Sequence, residues 1–232
     1  MSADELLRRL RSHQVPELIF LFGQETYLIQ QMVRSVREAV LPVTGDDFND
    51  NQFYGKEATA ELILESAMTY PVFAEKRLVT VKDAHQLPAV ELDNLIPYLQ
   101  NPVPQTCLLL IADKIDNRRK FYQQFKKTGA LVEFKPLSDR EIPRHIRQVL
   151  EQRQIQISAD GLDLFCLMVD GNLHEVRGEL DKLLTYIGTA TQIEIKDVEA
   201  VVSRGRVESV FELGNAVGRG DVATGLSLLR WL

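Results

Sequence analysis

The stretch Ala67-Met-Thr-Tyr-Pro-Val-Phe-Ala-Glu-Lys-Arg-Leu-Val-Thr-Val-Lys-Asp-Ala-His85 decides the fold. It reads in three parts. An amphipathic run over 58–68 stops at Tyr70-Pro71. A hydrophobic knuckle, Pro71-Val72-Phe73, comes next. A β-branched run, Leu78-Val-Thr-Val81, then reads as a buried strand. The knuckle is the odd part. Tyr70, Pro71, Val72 and Phe73 occupy a connection where polar turn residues are normal. An aromatic at such a corner is either a lid on the core or an anchor for a partner. Residue type alone favours the lid, because most phenylalanines are buried.

Upstream, Ser2-Ala-Asp-Glu5 has the pattern of a capping box, followed by Leu6, Leu7 and Leu10 at helical spacing. That helix is predicted to end near His13. Leu18-Ile-Phe-Leu-Phe22 reads as a first buried strand ended by Gly23, and 24–40 as a helix with Leu28, Met32, Val33 and Val36 on one stripe. Residues 42–50 are turn-rich and acidic, and Asn51-Gln-Phe-Tyr54 reads as a second strand. Downstream, Pro88 is placed to open a helix over 88–100, and Cys107-Leu-Leu-Leu-Ile111 is a further strand. A basic-aromatic helix over 117–127 is closed by Gly129, and Leu131-Val-Glu-Phe134 is a fifth strand. Short apolar strands alternating with helices predict an α/β domain with a parallel sheet covered on both faces.

The pattern changes at Ser138-Asp-Arg-Glu141, a second capping-box sequence. Helices are predicted over 138–153, 158–170, 172–187 and 196–203, punctuated by Gly171 and Gly188. Another change falls at Ser203-Arg-Gly-Arg206, before helical stretches over 207–217 and 221–232. The expected domains are 1–137, 138–205 and 206–232. The last stretch stops at Trp231-Leu232 while still amphipathic, and reads as a helix cut short.

Composition sets the class. The 232 residues are 45% hydrophobic and 26% charged, enough to bury a core. A net charge of −6 argues against holding duplex DNA by the bulk field. Cys107 and Cys166, the two cysteines, sit in apolar runs and read as small core residues. The longest apolar runs are far too short to cross a bilayer, and no signal-peptide pattern opens the chain, so a soluble cytoplasmic protein with no membrane partner is expected.

Catalytic chemistry is hard to find. The turn Phe22-Gly-Gln-Glu-Thr-Tyr27 lies where a phosphate loop belongs, but it has one glycine and no lysine. A phosphate loop needs several glycines to wrap backbone N–H groups around the anion, plus a lysine for charge. Glu25 at the helix start instead repels a phosphate. His13, His85, His145 and His174 do not fall at metal-ligand spacing. Asp83 and His85 after a strand are either an acid–base pair or loop caps, with caps favoured. Arg118, Arg119 and Lys120, among Phe121, Tyr122, Lys126 and Lys127, are either a nucleic-acid or partner contact or a solvated helix face. Phe121 and Phe125, four residues apart, are expected to face the core.

Several segments together resemble the delta subunit of the bacterial DNA polymerase III clamp loader. They are Phe22-Gly-Gln-Glu-Thr-Tyr-Leu28, Pro71-Val-Phe-Ala-Glu-Lys-Arg-Leu-Val79, Lys82-Asp-Ala-His85, Leu108-Leu-Leu-Ile-Ala-Asp113, Val132-Glu-Phe-Lys-Pro-Leu137, Gly171-Asn-Leu173 with Glu179-Leu-Asp-Lys-Leu183, and Val207-Glu-Ser-Val-Phe-Glu-Leu213. The resemblance spans the chain, and the order and spacing of the segments carry it. It implies an AAA+-like α/β domain without a functional P-loop, a helical lid domain and the start of a helical collar domain, most of the collar being absent.

It also implies a subunit that binds no cofactor and does not hydrolyse ATP. Such a subunit binds and opens the ring-shaped sliding clamp (beta). Its expected partners are the gamma/tau and delta prime subunits and primed DNA, within a complex that has DNA-directed DNA polymerase (nucleotidyltransferase) activity. By this match Lys82-Asp-Ala-His85 stands at the old acidic motif, and His174 replaces the lid arginine of ATPase relatives. No Ser-Arg-Cys precedes Leu131, so an arginine-finger role is not expected. In the family an apolar pair at the helix-to-strand corner plugs a clamp pocket; here it is Val72-Phe73, flanked by Pro71 and Tyr70. The competing readings are an active AAA+ ATPase with an atypical nucleotide loop and a stand-alone DNA-binding protein using Arg118, Arg119 and Lys120.

Overall fold

The computed structural model describes residues 1–41, 47–169, 172–202, 216–222 and 226. The expectations for 42–46, Gly171, Ser203-Arg-Gly-Arg206, the 207–213 segment and Trp231 lie outside these residues. The chain divides into two compact units, Met1–Pro136 and Leu137–Leu232.

The first unit is a three-layer α/β domain. Its elements are α1 (Ala3–Arg11), β1 (Leu18–Gly23), α2 (Thr26–Val40), β2 (Asp50–Tyr54), α3 (Ala60–Met68), β3 (Arg77–Lys82), α4 (Ala89–Asn94), α5 (Ile96–Gln100), β4 (Thr106–Ala112), α6 (Lys120–Thr128) and β5 (Ala130–Phe134). The sheet runs β2-β3-β4-β1-β5, and every neighbouring pair is parallel. This is the helix-covered parallel sheet that the alternation of strands and helices predicts. Strand side chains alternate between two cores, as the pleat requires. Leu18, Phe20, Val79, Val81, Leu108 and Leu110 face α3 to α6. Ile19, Leu21, Leu78, Leu109 and Val132 face α1 and α2. With both faces covered, the three central strands β3, β4 and β1 read as near-continuous apolar runs.

Local chemistry sets the boundaries. Ser2 caps α1 by accepting from the Glu5 N–H at 3.2 Å, and Thr59 does the same for α3 from Leu62 at 3.4 Å. The buried stripe of α2 is Ile29, Met32, Val36 and Val40. Leu28 and Val33, expected on that stripe, sit at its margins. The single helix expected over 88–100 is two helices meeting at Leu95, because Pro97 lacks the N–H that a continuous helix would use. Pro88 is the cap of the first, not its opening residue. The helix expected from 117 begins at Lys120. Gly129 ends it with φ −125°, not in a left-handed cap. Glycine is required there by packing, since a Cβ would lie 2.6 Å from the Phe125 ring and 2.9 Å from Leu18.

The second unit contains α7 (Ile142–Glu151), β6 (Gln156–Ile157), α8 (Ala159–Met168), α9 (Leu173–Ile187), β7 (Gln192–Ile193) and α10 (Ile195–Val201). The helix expected from 138 starts at Ile142. Ser138 lies outside it, and its N–H and hydroxyl both donate to the Glu141 carboxylate, at 2.9 and 2.6 Å. Only one arm of the expected box forms. Two unforeseen two-residue strands pair in parallel, Gln156 with Gln192 and Ile157 with Ile193. Each is a Gln-Ile pair followed by the cap residue of a helix, Ser158 or Glu194. Ile146, Leu150, Leu162, Phe165, Leu173, Leu180, Leu183, Ile193 and Val198 form this unit's core.

Candidate functional site

The knuckle is a corner built on the amino-terminal edge of the sheet. Helix α3 ends at Thr69, whose hydroxyl turns back onto the Glu65 carbonyl at 2.7 Å. The Ala67 carbonyl, freed by the helix end, accepts from the Thr106 hydroxyl at 2.9 Å. The chain then crosses to β3, where the Arg77 N–H donates to the Gln105 carbonyl at 2.8 Å. Between these points Tyr70 is 71% exposed, Val72 42% and Phe73 98%, with Pro71 half-buried. The core-lid reading of Phe73 is therefore overturned. The ring projects from the corner and covers nothing.

Three side chains fix this corner. Buried Asn49 brackets the Val72 backbone. Its Oδ1 accepts from the Val72 N–H at 2.8 Å, and its Nδ2 donates to the Val72 carbonyl at 2.7 Å. Buried Arg77 donates to the Tyr70 carbonyl at 3.4 Å and to the Asn51 side-chain oxygen. Lys76 Nζ reaches the Pro104 carbonyl at 3.2 Å. Phe73 itself has φ +52°, a left-handed conformation that is uncommon for a bulky side chain. Sequence reading missed Asn49, Asn51 and Arg77. The signal for the two asparagines was a polar Asn-Asp-Asn run at the start of a strand, and Arg77 gave none.

The opposite, carboxyl-terminal edge is where an open parallel sheet binds ligands. Here the first turn is closed against its neighbour. Gly23 has φ +134°, and a Cβ on it would lie 2.0 Å from the Phe134 carbonyl oxygen. That carbonyl also accepts from the Glu25 N–H at 3.2 Å. Glu25 is buried at the N-cap of α2. The lone glycine serves the β1–β5 packing, and an N–H that could face an anion is committed to β5.

Asp83 and His85 act as loop caps. Asp83 is left-handed at φ +52° and its carbonyl accepts from Gln86 at 2.8 Å, opening a 3-10 turn over Ala84–Gln86. His85 Nδ1 accepts from the Asp113 N–H at 3.4 Å, tying the end of β3 to that of β4. Arg118, Arg119 and Lys120 are exposed. Arg118 is forked onto Asp116 at 3.0 and 3.3 Å, and Arg119 Nε lies 4.0 Å from the same carboxylate. The Arg118 hydrogen bond holds the Asp116 carboxyl below the usual carboxylate range. Phe121, Tyr122 and Phe125 face the core around Phe20, with ring centroids 5.4 to 6.5 Å away, so the aromatics are not part of the basic surface. Among the described residues no group of three or more His, Cys, Asp or Glu is placed to hold a metal ion, and no helix is long and apolar enough to cross a membrane.

Comparison with known proteins places this architecture. The chain is 30% identical over 223 residues to the DNA polymerase III subunit delta of Bacillus subtilis, covering 92% of this chain and 64% of the relative, so it spans about two thirds of that protein's length. A replication factor C small subunit from Thermococcus kodakarensis is 26% identical over 111 residues, 48% of this chain and 12% of that protein. The solved Bacillus subtilis DNA clamp loader delta protein superposes with a TM-score of 0.82 at 29% identity, over 98% of this chain and 70% of that one. Residues 20–135, which hold the whole sheet after its first two residues together with both edges described above, match the family described as DNA polymerase III, delta subunit, and the chain belongs to that family.

Proposed function

We propose that this chain is the clamp-engaging part of a clamp-loader delta subunit. It binds the sliding clamp (beta) through Val72 and Phe73, with Pro71 and Tyr70 beside them, and helps spring the ring open without hydrolysing ATP. One observation carries the reading: Phe73 is 98% exposed on a corner whose backbone is fixed by buried side chains. A fixed corner loses little conformational freedom on docking. Burying one phenylalanine contributes about 1.5–3 kcal/mol, the scale of an interface hot spot. Opening then needs no chemistry in this chain. A subunit that binds the open ring better than the closed one shifts the ring toward open.

The closed turn at Gly23 supports a subunit that takes its energy from ATP held by siblings, the gamma/tau subunits, with delta prime in the same assembly. The second unit serves as the lid domain over 138–205, with 206–232 beginning the collar. Arg118, Arg119 and Lys120 offer a contact for primed DNA or a sibling subunit. The setting is cytoplasmic chromosomal replication.

The test is equilibrium binding of this chain to its cognate clamp beside Phe73→Ala. Alanine keeps the same backbone problem at φ +52° and removes the ring. Wild type is expected to bind and the variant to lose about 10- to 150-fold in affinity, the range that 1.5–3 kcal/mol sets. Equal binding by the two overturns the site, and no binding by wild type overturns the reading.

A further inference from the structure

We propose that Asn49 is a positioning residue for the clamp anchor, holding the Val72-Phe73 backbone in its docking form without touching the clamp. The inference rests on the reading of Val72-Phe73 as the anchor. Asn49 is 1% exposed and lies 23 residues before Val72, at the end of the 3-10 turn Asp47–Asn49 that leads into β2. Its carboxamide pairs with both polar backbone groups of one residue, at 2.8 and 2.7 Å. Few side chains can do this. An amide carries a donor and an acceptor on one branch, a carboxylate carries only acceptors, and an isosteric leucine carries neither.

The next residue explains why such a bracket matters. Phe73 stands at φ +52°, a conformation that persists in a bulky residue only where its surroundings over-determine it. Freed of Asn49, the corner has an alternative with φ below zero that would swing the ring to another direction. Any population in that alternative lowers apparent affinity in proportion.

The bracket is itself anchored. The Arg37–Asp50 ion pair ties α2 to the residue after Asn49, and β2 is in register with β3 from Asp50↔Leu78 to Tyr54↔Lys82. Arg77, the first residue of β3, holds the Tyr70 carbonyl through a guanidinium that also meets Asn51. Two asparagines at the start of the edge strand thus govern both ends of the exposed segment, Asn49 directly and Asn51 through Arg77.

The experiment measures clamp affinity for wild type, Asn49→Ala, Phe73→Ala and the double variant, together with hydrogen exchange at the Val72 amide. Asn49→Ala is expected to lose about tenfold in affinity and to speed Val72 exchange by a similar factor, with β3 and β4 amides unchanged. In the Phe73→Ala background the same substitution is expected to leave the residual affinity within about twofold, because the two residues act through one contact. Should Asn49→Ala not fold, Asn49→Ser carries the same arms, since its shorter hydroxyl cannot bridge both backbone groups. Unchanged affinity in Asn49→Ala while Phe73→Ala loses its binding overturns the positioning role and leaves the anchor standing. An equal loss in both backgrounds assigns Asn49 a general structural role and also overturns it. If Phe73→Ala binds like wild type, the anchor reading itself has failed.

Discussion

Replacing Phe73 by glycine is expected to stabilise the protein and, on the proposed reading of Phe73 as the clamp anchor, to abolish clamp binding. The two effects have separate physical sources. Holding a non-glycine residue in the left-handed region costs about 1–2 kcal/mol, which glycine avoids. Glycine gives back about 0.5–1 kcal/mol through the greater freedom of its unfolded chain. The ring is 98% exposed, so its removal forfeits almost no buried area. The balance is a gain of about 0.5–1 kcal/mol in folding stability. A phenylalanine acting as a core lid would give the opposite sign, a loss of about 3–5 kcal/mol. The outcomes therefore differ by at least 3 kcal/mol, well beyond the error of urea unfolding.

Phe73→Ala serves as the control, since alanine shares the backbone cost. The expected order of stability is glycine above phenylalanine and alanine, which should be nearly equal. The expected order of clamp affinity is phenylalanine far above both. A Phe73→Gly protein destabilised by more than about 1 kcal/mol would refute the exposure argument. One that is stabilised but still binds the clamp like wild type would refute the anchor.

Three further outcomes are expected. Gly23→Ala forces a Cβ to within 2.0 Å of the Phe134 carbonyl at φ +134°, and should cost about 3 kcal/mol or more in urea unfolding, with ATP giving no thermal shift in either protein. Alanine at Arg118, Arg119 and Lys120 together should move stability by less than about 0.5 kcal/mol, since these are exposed pairs, while weakening salt-sensitive DNA binding of the assembled loader; a large loss of stability would show a structural role. Burial, aided by the nearby Arg177, pushes His145 below its ordinary value of 6.5. The unfolded chain then binds the proton more readily. This contribution is complete above pH 6.5 and is lost as pH falls toward the lower folded-state value. His145→Gln should flatten the stability slope between about pH 7 and 5.5, above the carboxylate range, and an unchanged slope would exclude His145 as its source.

The alternation of strands and helices was legible because the three central strands are buried on both faces and therefore carry unbroken apolar runs, as in Leu18 to Leu21 and Cys107 to Leu110. What the sequence hid depends on contacts far apart along the chain. Residue type alone placed Phe73 in the core, the family resemblance turned it outward, and the fold shows it exposed. Pro97 split a helix that periodicity joined across it. Gly129 looked like a left-handed cap, but its missing Cβ serves the Phe125 ring and Leu18. Asn49 read as one of several polar turn residues, because its partner is 23 positions away. Polar residues that support a distant backbone leave no periodic trace.

The two edges of the sheet offer different chemistry. In a parallel sheet every strand-to-helix turn gathers at the carboxyl edge, and helix N-termini there favour anions. The first turn of that edge is closed in this chain: Gly23 packs against the Phe134 carbonyl, which accepts from the Glu25 N–H. The amino edge collects the helix-to-strand connections, which have no helix dipole to offer an anion. Such an edge suits shape and apolar contact better than charge. The corner from Tyr70 to Lys76 leaves Tyr70, Val72 and Phe73 exposed and holds the Val72 N–H and carbonyl on Asn49 and the Tyr70 carbonyl on Arg77. The edges share no side-chain partner in the contacts described above. Substitutions at Gly23 and at Asn49 should therefore add in their effects on stability, while clamp affinity in the folded protein follows the amino edge alone.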